Sequence, residues 1–321
     1  MLVAEWELPA YLKDTQVKIK PEFQIIKKYL SSIGASFLES NGVQLSVGDD
    51  CAVLQSKKNL LISTDTSVAG VHFLKSMPPK AIAYRAVSTA MSDIAAMGGH
   101  PLAFNLSLVM PSIDEQWMKE FRSGLQKISK ELQVTLIGGD LAKGPMQVSV
   151  TVFGKEEGKS LLRSGASAGD ILCVSGALGS GYLAFMQYKS SKISDLKTKA
   201  YLYPKAQIEY GKCINQHATS AIDLSDGLMQ DLSHIILASS IGCEVNIASI
   251  PLASSHCQKQ CLEFGDDYQL LYTVAPKKID ALKSKLKAIN KSCHTIGTMQ
   301  GKSLKLLNNP YASISGYSHF N

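Results

Sequence analysis

The stretch AIAYRAVSTAMSDIAAMGGHPLAFNLSLV, residues 81–109, decides the fold class. Small residues dominate positions 81–97, and Ile82, Val87, Ile94 and Met97 recur among them, which predicts a helix. Gly98-Gly99 ends it. Residues 102–109 then read as a strand. A helix running straight into an apolar strand belongs to a chain that mixes both elements. Asp93 is the odd residue, a carboxylate inside an otherwise apolar helix.

The same alternation continues on both sides. Upstream, Phe23, Ile26 and Leu30 give helical spacing over 22–31, and strand-like runs follow at 52–54 and 60–63, each beside aspartate. Downstream, Pro111 and Asp114 open a helix to about residue 132. Residues 134–137 form a buried strand opening onto Gly138-Gly139-Asp140, and 148–153 is a further strand. The segment 154–170, rich in Gly, Ser and charge, marks a boundary. Beyond it come a strand at 171–174, a glycine turn, a helix from about 181, and a lysine- and serine-rich solvated segment at 190–200. Strands at 221–223 and 270–274 and helices at 227–240 and 279–289 complete the pattern. The class is α/β (α+β). The expected organisation is an extension over 1–20, a domain over 21–155 and a second over 156–321.

Composition narrows the function. The 321 residues carry 33 Lys+Arg against 27 Asp+Glu, a net charge of +6. Only Arg85, Arg122 and Arg163 are arginines. Arginine is the usual reader of bases and of bidentate phosphates, so no nucleic-acid partner is expected. No apolar run approaches a membrane span, and Glu5 and Glu7 stand where an export signal would carry positive charge. Seven cysteines lack paired metal spacing, Cys257 and Cys261 coming nearest, and this fits reduced thiols in the cytoplasm.

The informative charges are acidic. They fall in five short segments: VGDDC (47–51), STDT (63–66), Ser92-Asp93, Gly138-Gly139-Asp140 and DLSDG (223–227). Singly, such segments are turns or helix caps. Together, aspartates with Ser and Thr and without histidine at ligand spacing form a hard-oxygen set suited to Mg²⁺. Magnesium held this way keeps sites for substrate phosphates, most simply those of ATP. Two phosphate-loop motifs compete for attention. GKEEGKS (154–160) lacks the first glycine of a P-loop, since Phe153 occupies that place, and reads as a charged hairpin or linker. GALGSG (176–181) reads as a phosphate turn or as a tight strand–helix connection.

Taken in order, these segments resemble the thiamine-monophosphate kinases, of the superfamily that includes aminoimidazole ribonucleotide synthetase. The resemblance runs through VGDDCAVL (47–54), STDTSVAGVHF (63–73), AYRAVSTAMSDIAAMGGHP (83–101) and LIGGDLAKGP (136–145). It continues in LLRSGASAGD (161–170), AIDLSDGLMQDLSHI (221–235), GDDYQLLYTV (265–274) and GYSHF (316–320). It implies a two-domain aminoimidazole ribonucleotide synthetase-like fold whose N-terminal domain pairs across a homodimer. It implies ATP-dependent phosphorylation of thiamine monophosphate to thiamine diphosphate, by direct in-line transfer on several Mg²⁺ ions. Asp50, Ser63, Thr64, Asp65, Asp93, Asp140, Asp223 and Asp226 fall at the family's metal positions. Gly139, Asp140, Arg163 and Ser225 fall at its ATP contacts, and His72, Asp266 and Tyr317 at its thiamine monophosphate contacts. Asp266 and Gln269 replace acids more usual in the family, and Leu141 replaces a threonine. A synthetase relative that activates an amide, a thiocarboxamide-type tail or selenide is the competing enzyme class. A lysine-rich binder of acidic partners is the competing non-enzyme and leaves the aspartate segments unexplained.

Overall fold

The computed structural model describes residues 24–47 and 51–317. The expected N-terminal extension, Asp49, Asp50 and Phe320 lie outside them. The chain divides into two units, one of residues up to 90 with 101–155, the other of 91–100 with residues from 156 onward. The expected division at 155 leaves out the segment 91–100, which clusters with the second unit.

The first unit opens on a π-helical turn, Ile26–Leu30, within the stretch read as a helix. Strand β1 (Val43–Leu45) pairs antiparallel with β2 (Val53–Leu54). Strand β3 (Leu60–Val68) runs well past residue 63, because the β-branched Thr64 and Thr66 extend its period-two pattern. Helix α1 (Pro79–Ala96), β4 (His100–Met110), α2 (Glu115–Leu132), β5 (Thr135–Lys143) and β6 (Gln147–Lys155) follow. The sheet order is β3-β6-β4-β5. β3 and β6 pair antiparallel from Leu60↔Lys155 to Val68↔Gln147. β4 and β5 are parallel, with α2 as the crossover. β5 runs through Gly138-Gly139-Asp140 instead of ending at 137, since its pairing with β4 extends to Met110↔Lys143. Asp114 caps α2, its Oδ1 accepting the Trp117 amide at 2.6 Å. Met118, Phe121, Leu125 and Ile128 form the buried stripe of that helix.

The second unit contains β7 (Ile171–Val174), α3 (Ser180–Ser191), α4 (Lys199–Leu202), α5 (Ile208–Ile214) and β8 (Ala218–Asp223). It continues with α6 (Leu228–Ser239), β9 (Cys243–Asn246), α7 (Gln258–Glu263) and β10 (Leu270–Val274). Helix α8 (Ile279–Ala288), β11 (His294–Met299) and β12 (Leu304–Leu307) close it. The six strands lie in the order β12-β9-β11-β7-β10-β8, and only β12 with β9 is parallel. All five residues of β10 are buried, which explains its unbroken Leu-Leu-Tyr-Thr-Val run. Leu228, Leu232 and Ile235 of α6 share one core with Leu172, Val174, Ile222 and Leu271 of the sheet. Each such side chain contributes about 1.5–3 kcal/mol on burial.

The segment 190–200 is largely exposed, as its lysines imply, and Thr198 is its one buried residue. Leu196 is 86% exposed, but Thr198 is fully buried and Tyr201 and Leu202 enter the core. The Asp195 carboxylate accepts the amides of Lys197 (2.9 Å) and Thr198 (3.1 Å) and turns the chain into α4. No helix among the described residues is long and apolar enough to cross a membrane.

Candidate active site

In the first unit the STDT segment is the middle of β3, and alternation along a strand separates its side chains. Ser63 and Asp65 share one face, where Asp65 Oδ2 accepts the Thr89 hydroxyl of α1 at 3.0 Å. Thr64 lies on the other face, its Oγ1 2.9 Å from that of Thr151 on β6. On β5, Gly139 and Asp140 register with Leu106 and Ser107 of β4, and both are exposed. His72 stands in the turn after β3, with Nδ1 accepting the Val68 amide at 3.0 Å. A histidine locked this way has one nitrogen committed to the fold.

In the second unit the central feature is the turn at 223–227, between β8 and α6. Asp223 ends β8, paired with Leu270, and is buried. Burial, and next the charge of Asp93 on α1, push its carboxyl above the usual range, while Ser92 and Arg163 favour its ionised form. Ser92 Oγ is itself buried and makes no well-formed hydrogen bond, so its help is that of a nearby dipole. The exposed Arg163 is anchored through its carbonyl, which accepts the Ser239 hydroxyl at 3.1 Å.

Asp231 is a residue that the sequence reading missed. Its carboxylate accepts the amides of Asp226 (3.1 Å) and Ser225, tying the turn to the first turn of α6. Burial, and then the charge of Asp223, raise it to about 8. The available signal was an aspartate five residues beyond Asp226, on the face of α6 that points back to the turn.

The segment 265–269 lies along that turn like a continued ladder. The Asp266 amide donates to Ser225 O at 2.9 Å, Tyr268 N to Leu224 O at 2.9 Å, and Leu224 N to Gln269 O at 2.8 Å. Gly265 sits at φ 71°, where a Cβ would strike the Ser225 carbonyl, so this approach requires glycine. Gln269, where an acid is usual, has Oε1 accepting the Ser175 hydroxyl at 2.7 Å and so braces β7. Tyr317 joins from the C-terminal side, its amide donating to Asp226 O at 2.8 Å. Asp223, Ser225, Asp226, Asp266 and Tyr317 are thus brought together by backbone bonds within one unit.

The two phosphate-loop motifs resolve differently from ligand sites. In 154–160, Glu156 Oε1 accepts both the amide and the hydroxyl of Ser160 at 2.8 Å, a closed turn. In 176–181, the amides at the head of α3 are taken by Asp267, which burial raises to about 7. This glycine turn is a strand–helix connection with an internal carboxylate in the place a phosphate would take.

Among the described residues, no three His, Cys, Asp or Glu side chains stand grouped closely enough to hold a metal. Asp50 lies outside the described residues, Asp65 and Asp140 belong to the first unit, and Asp93, Asp223 and Asp226 to the second. The donor chemistry nevertheless fits a hard divalent cation. A buried carboxyl raised by a second carboxylate is a pair that gains from a nearby positive charge.

Comparison with known proteins places the fold in a family. The family model "AIR synthase related protein, N-terminal domain" matches residues 48–155, and "AIR synthase related protein, C-terminal domain" matches 167–306. The fold is thus that of the AIR synthase related proteins. The thiamine-monophosphate kinase of Haemophilus influenzae is 39% identical over 297 residues, 88% of this chain and 90% of that protein. The solved thiamine-monophosphate kinase of Stenotrophomonas maltophilia superposes with a TM-score of 0.80 at 30% identity, over 87% of this chain and 95% of that one. AaThiL, complexed with AMPPCP and TMP, superposes with a TM-score of 0.73 at 27% identity, over 89% and 95%. The chain belongs to the thiamine-monophosphate kinase family.

Proposed function

We propose that this protein transfers the γ-phosphoryl group of ATP to the phosphate of thiamine monophosphate, giving ADP and thiamine diphosphate. The observation that carries the reading is the 39% identity to a thiamine-monophosphate kinase, over nine-tenths of that protein's length. A relative complexed with an ATP analogue and TMP supports both substrates. An oxygen of the acceptor phosphate attacks the γ-phosphorus, and the bond to the β–γ bridging oxygen breaks with release of ADP. The acceptor is already an anion, so the reaction needs positioning and charge neutralisation more than a general base.

In this reading Asp50, Asp65, Asp93, Asp140, Asp223 and Asp226 hold several Mg²⁺ ions, with Ser63 and Thr64 contributing. Magnesium supplies neutralisation of the phosphate charges when bound. Gly139, Asp140, Arg163 and Ser225 contact ATP, and His72, Asp266 and Tyr317 contact thiamine monophosphate. The protein works as a homodimer in the cytoplasm. Leu60 and Ile62, 39% and 59% exposed on one face of β3, supply an apolar row for a second copy to cover. All seven cysteines are unbridged, as a reducing compartment favours.

The test is direct. Purified protein with ATP, Mg²⁺ and thiamine monophosphate should yield ADP and thiamine diphosphate in equal amounts. ADP formation with a different acceptor, and none with thiamine monophosphate, would overturn the assignment.

A further inference from the structure

The head of α3 and Asp267 form a clamp that none of the assigned roles uses. Asp267 Oδ2 accepts the Gly179 amide at 2.7 Å and Oδ1 the Gly181 amide at 3.1 Å. The Ser180 amide donates to the same carboxylate. Consecutive amides at a helix N-terminus are a strong seat for an anion, and here the chain fills it with its own side chain.

The residues on either side of Asp267 explain why such a clamp is needed. Asp266 has φ 60° and Tyr268 has φ 49°, both in the left-handed region that non-glycine residues avoid. Such conformations persist where their surroundings over-determine them, and they gather at functional sites. Here the determination comes from two directions. The amides of Asp266 and Tyr268 are held by Ser225 O and Leu224 O, each at 2.9 Å. Asp267 between them is held by the amides of α3. The contact with α3 is so close that a Cβ on Gly181 would overlap the Asp266 carbonyl.

We propose that Asp267 is a positioning residue: seated on the N-terminus of α3, its carboxylate fixes the left-handed loop that aims Asp266 at thiamine monophosphate. This rests on the reading of Asp266 as a substrate contact. The Asp267 carboxylate is taken up by the amides of α3, so its removal loosens acceptor binding more than ATP binding.

The experiment compares wild type with Asp267→Asn and Gly181→Ala. The amide variant keeps one acceptor oxygen but sets an NH₂ against donors. The glycine variant leaves Asp267 intact, suits a helix and displaces only the loop. Both should raise KM for thiamine monophosphate by about tenfold, with kcat and KM for ATP within about twofold of wild type. Hydrogen exchange on the wild type needs no variant, and the amides of Gly179, Ser180 and Gly181 should be protected about 100-fold or more. Unprotected amides would overturn the clamp. So would variants whose two KM values rise together, or whose KM for thiamine monophosphate stays unchanged. Failure of the kinase reading has a different signature: no ADP from wild type with thiamine monophosphate, while these amides remain protected.

Discussion

Replacing Asp231 with asparagine tests the electrostatics of the 223–227 turn. The Asp231 carboxyl moves from 3.8 in an unfolded chain to about 8 in the fold. That difference corresponds to about 6 kcal/mol at most, at about 1.36 kcal/mol per pH unit. The folded state binds the extra proton between these values, so stability falls as pH rises from about 4 to 8. Below pH 4 both states are protonated and the cost is absent. The Asp231→Asn side chain would carry no charge at any pH and would keep a carbonyl for the amides of Ser225 and Asp226. The variant should match wild type at pH 4 to within about 1 kcal/mol, the scale of one hydrogen bond. At pH 8 it should be more stable by about 2 kcal/mol or more. Urea denaturation in chelator, followed by circular dichroism at both pH values, measures the difference. A variant that loses several kcal/mol at both pH values would refute the reasoning. So would a difference between the two proteins that does not change with pH.

Other predictions address the metal pair and the thiols. Asp93→Asn deletes a proposed ligand and relieves the repulsion that raises Asp223. It should abolish most turnover and the stabilisation by Mg²⁺ while raising the melting temperature in chelator, and a variant with full activity at saturating Mg²⁺ would exclude the ligand role. Cys293 has its thiol lowered by a hydrogen bond from Cys173 and by the Tyr272 hydroxyl, which donates to Sγ at 3.1 Å. Burial raises Cys213. Iodoacetamide at pH 7.5 should therefore alkylate Cys293 ahead of Cys213, as peptide mass spectrometry can check. The reverse order would mean that the Tyr272 bond is not maintained in solution.

Much of the architecture was legible because its periodicities are strong. The alanine-rich helix α1, the capped helix α2 and the buried strand β10 each announce themselves by spacing, a cap residue or an unbroken apolar run. The strands β9, β11 and β12 did not, because they are short and their apolar residues are interrupted by Glu, Lys, Thr or Gly. Their neighbours in the sheet hold them, and local preference gives little warning of such pairing. The segment 190–200 is solvated as its lysines suggest, and only the buried Thr198 and the turn into α4 went unannounced.

For the site, sequence alone determined the chemical inventory: carboxylates with Ser and Thr, few arginines, and an ordered set of segments that fits one enzyme family. That much is legible because hard-oxygen ligation depends on residue type. Tertiary structure decided which of those residues lie together. Strand alternation separates Thr64 from Asp65, and backbone bonds lash 265–269 and Tyr317 to the 223–227 turn. Only packing could reveal Asp231 and Asp267 as the carboxylates that shape the site, because their partners are backbone amides. Every residue but proline carries such an amide, so a sequence cannot mark which ones a carboxylate will find.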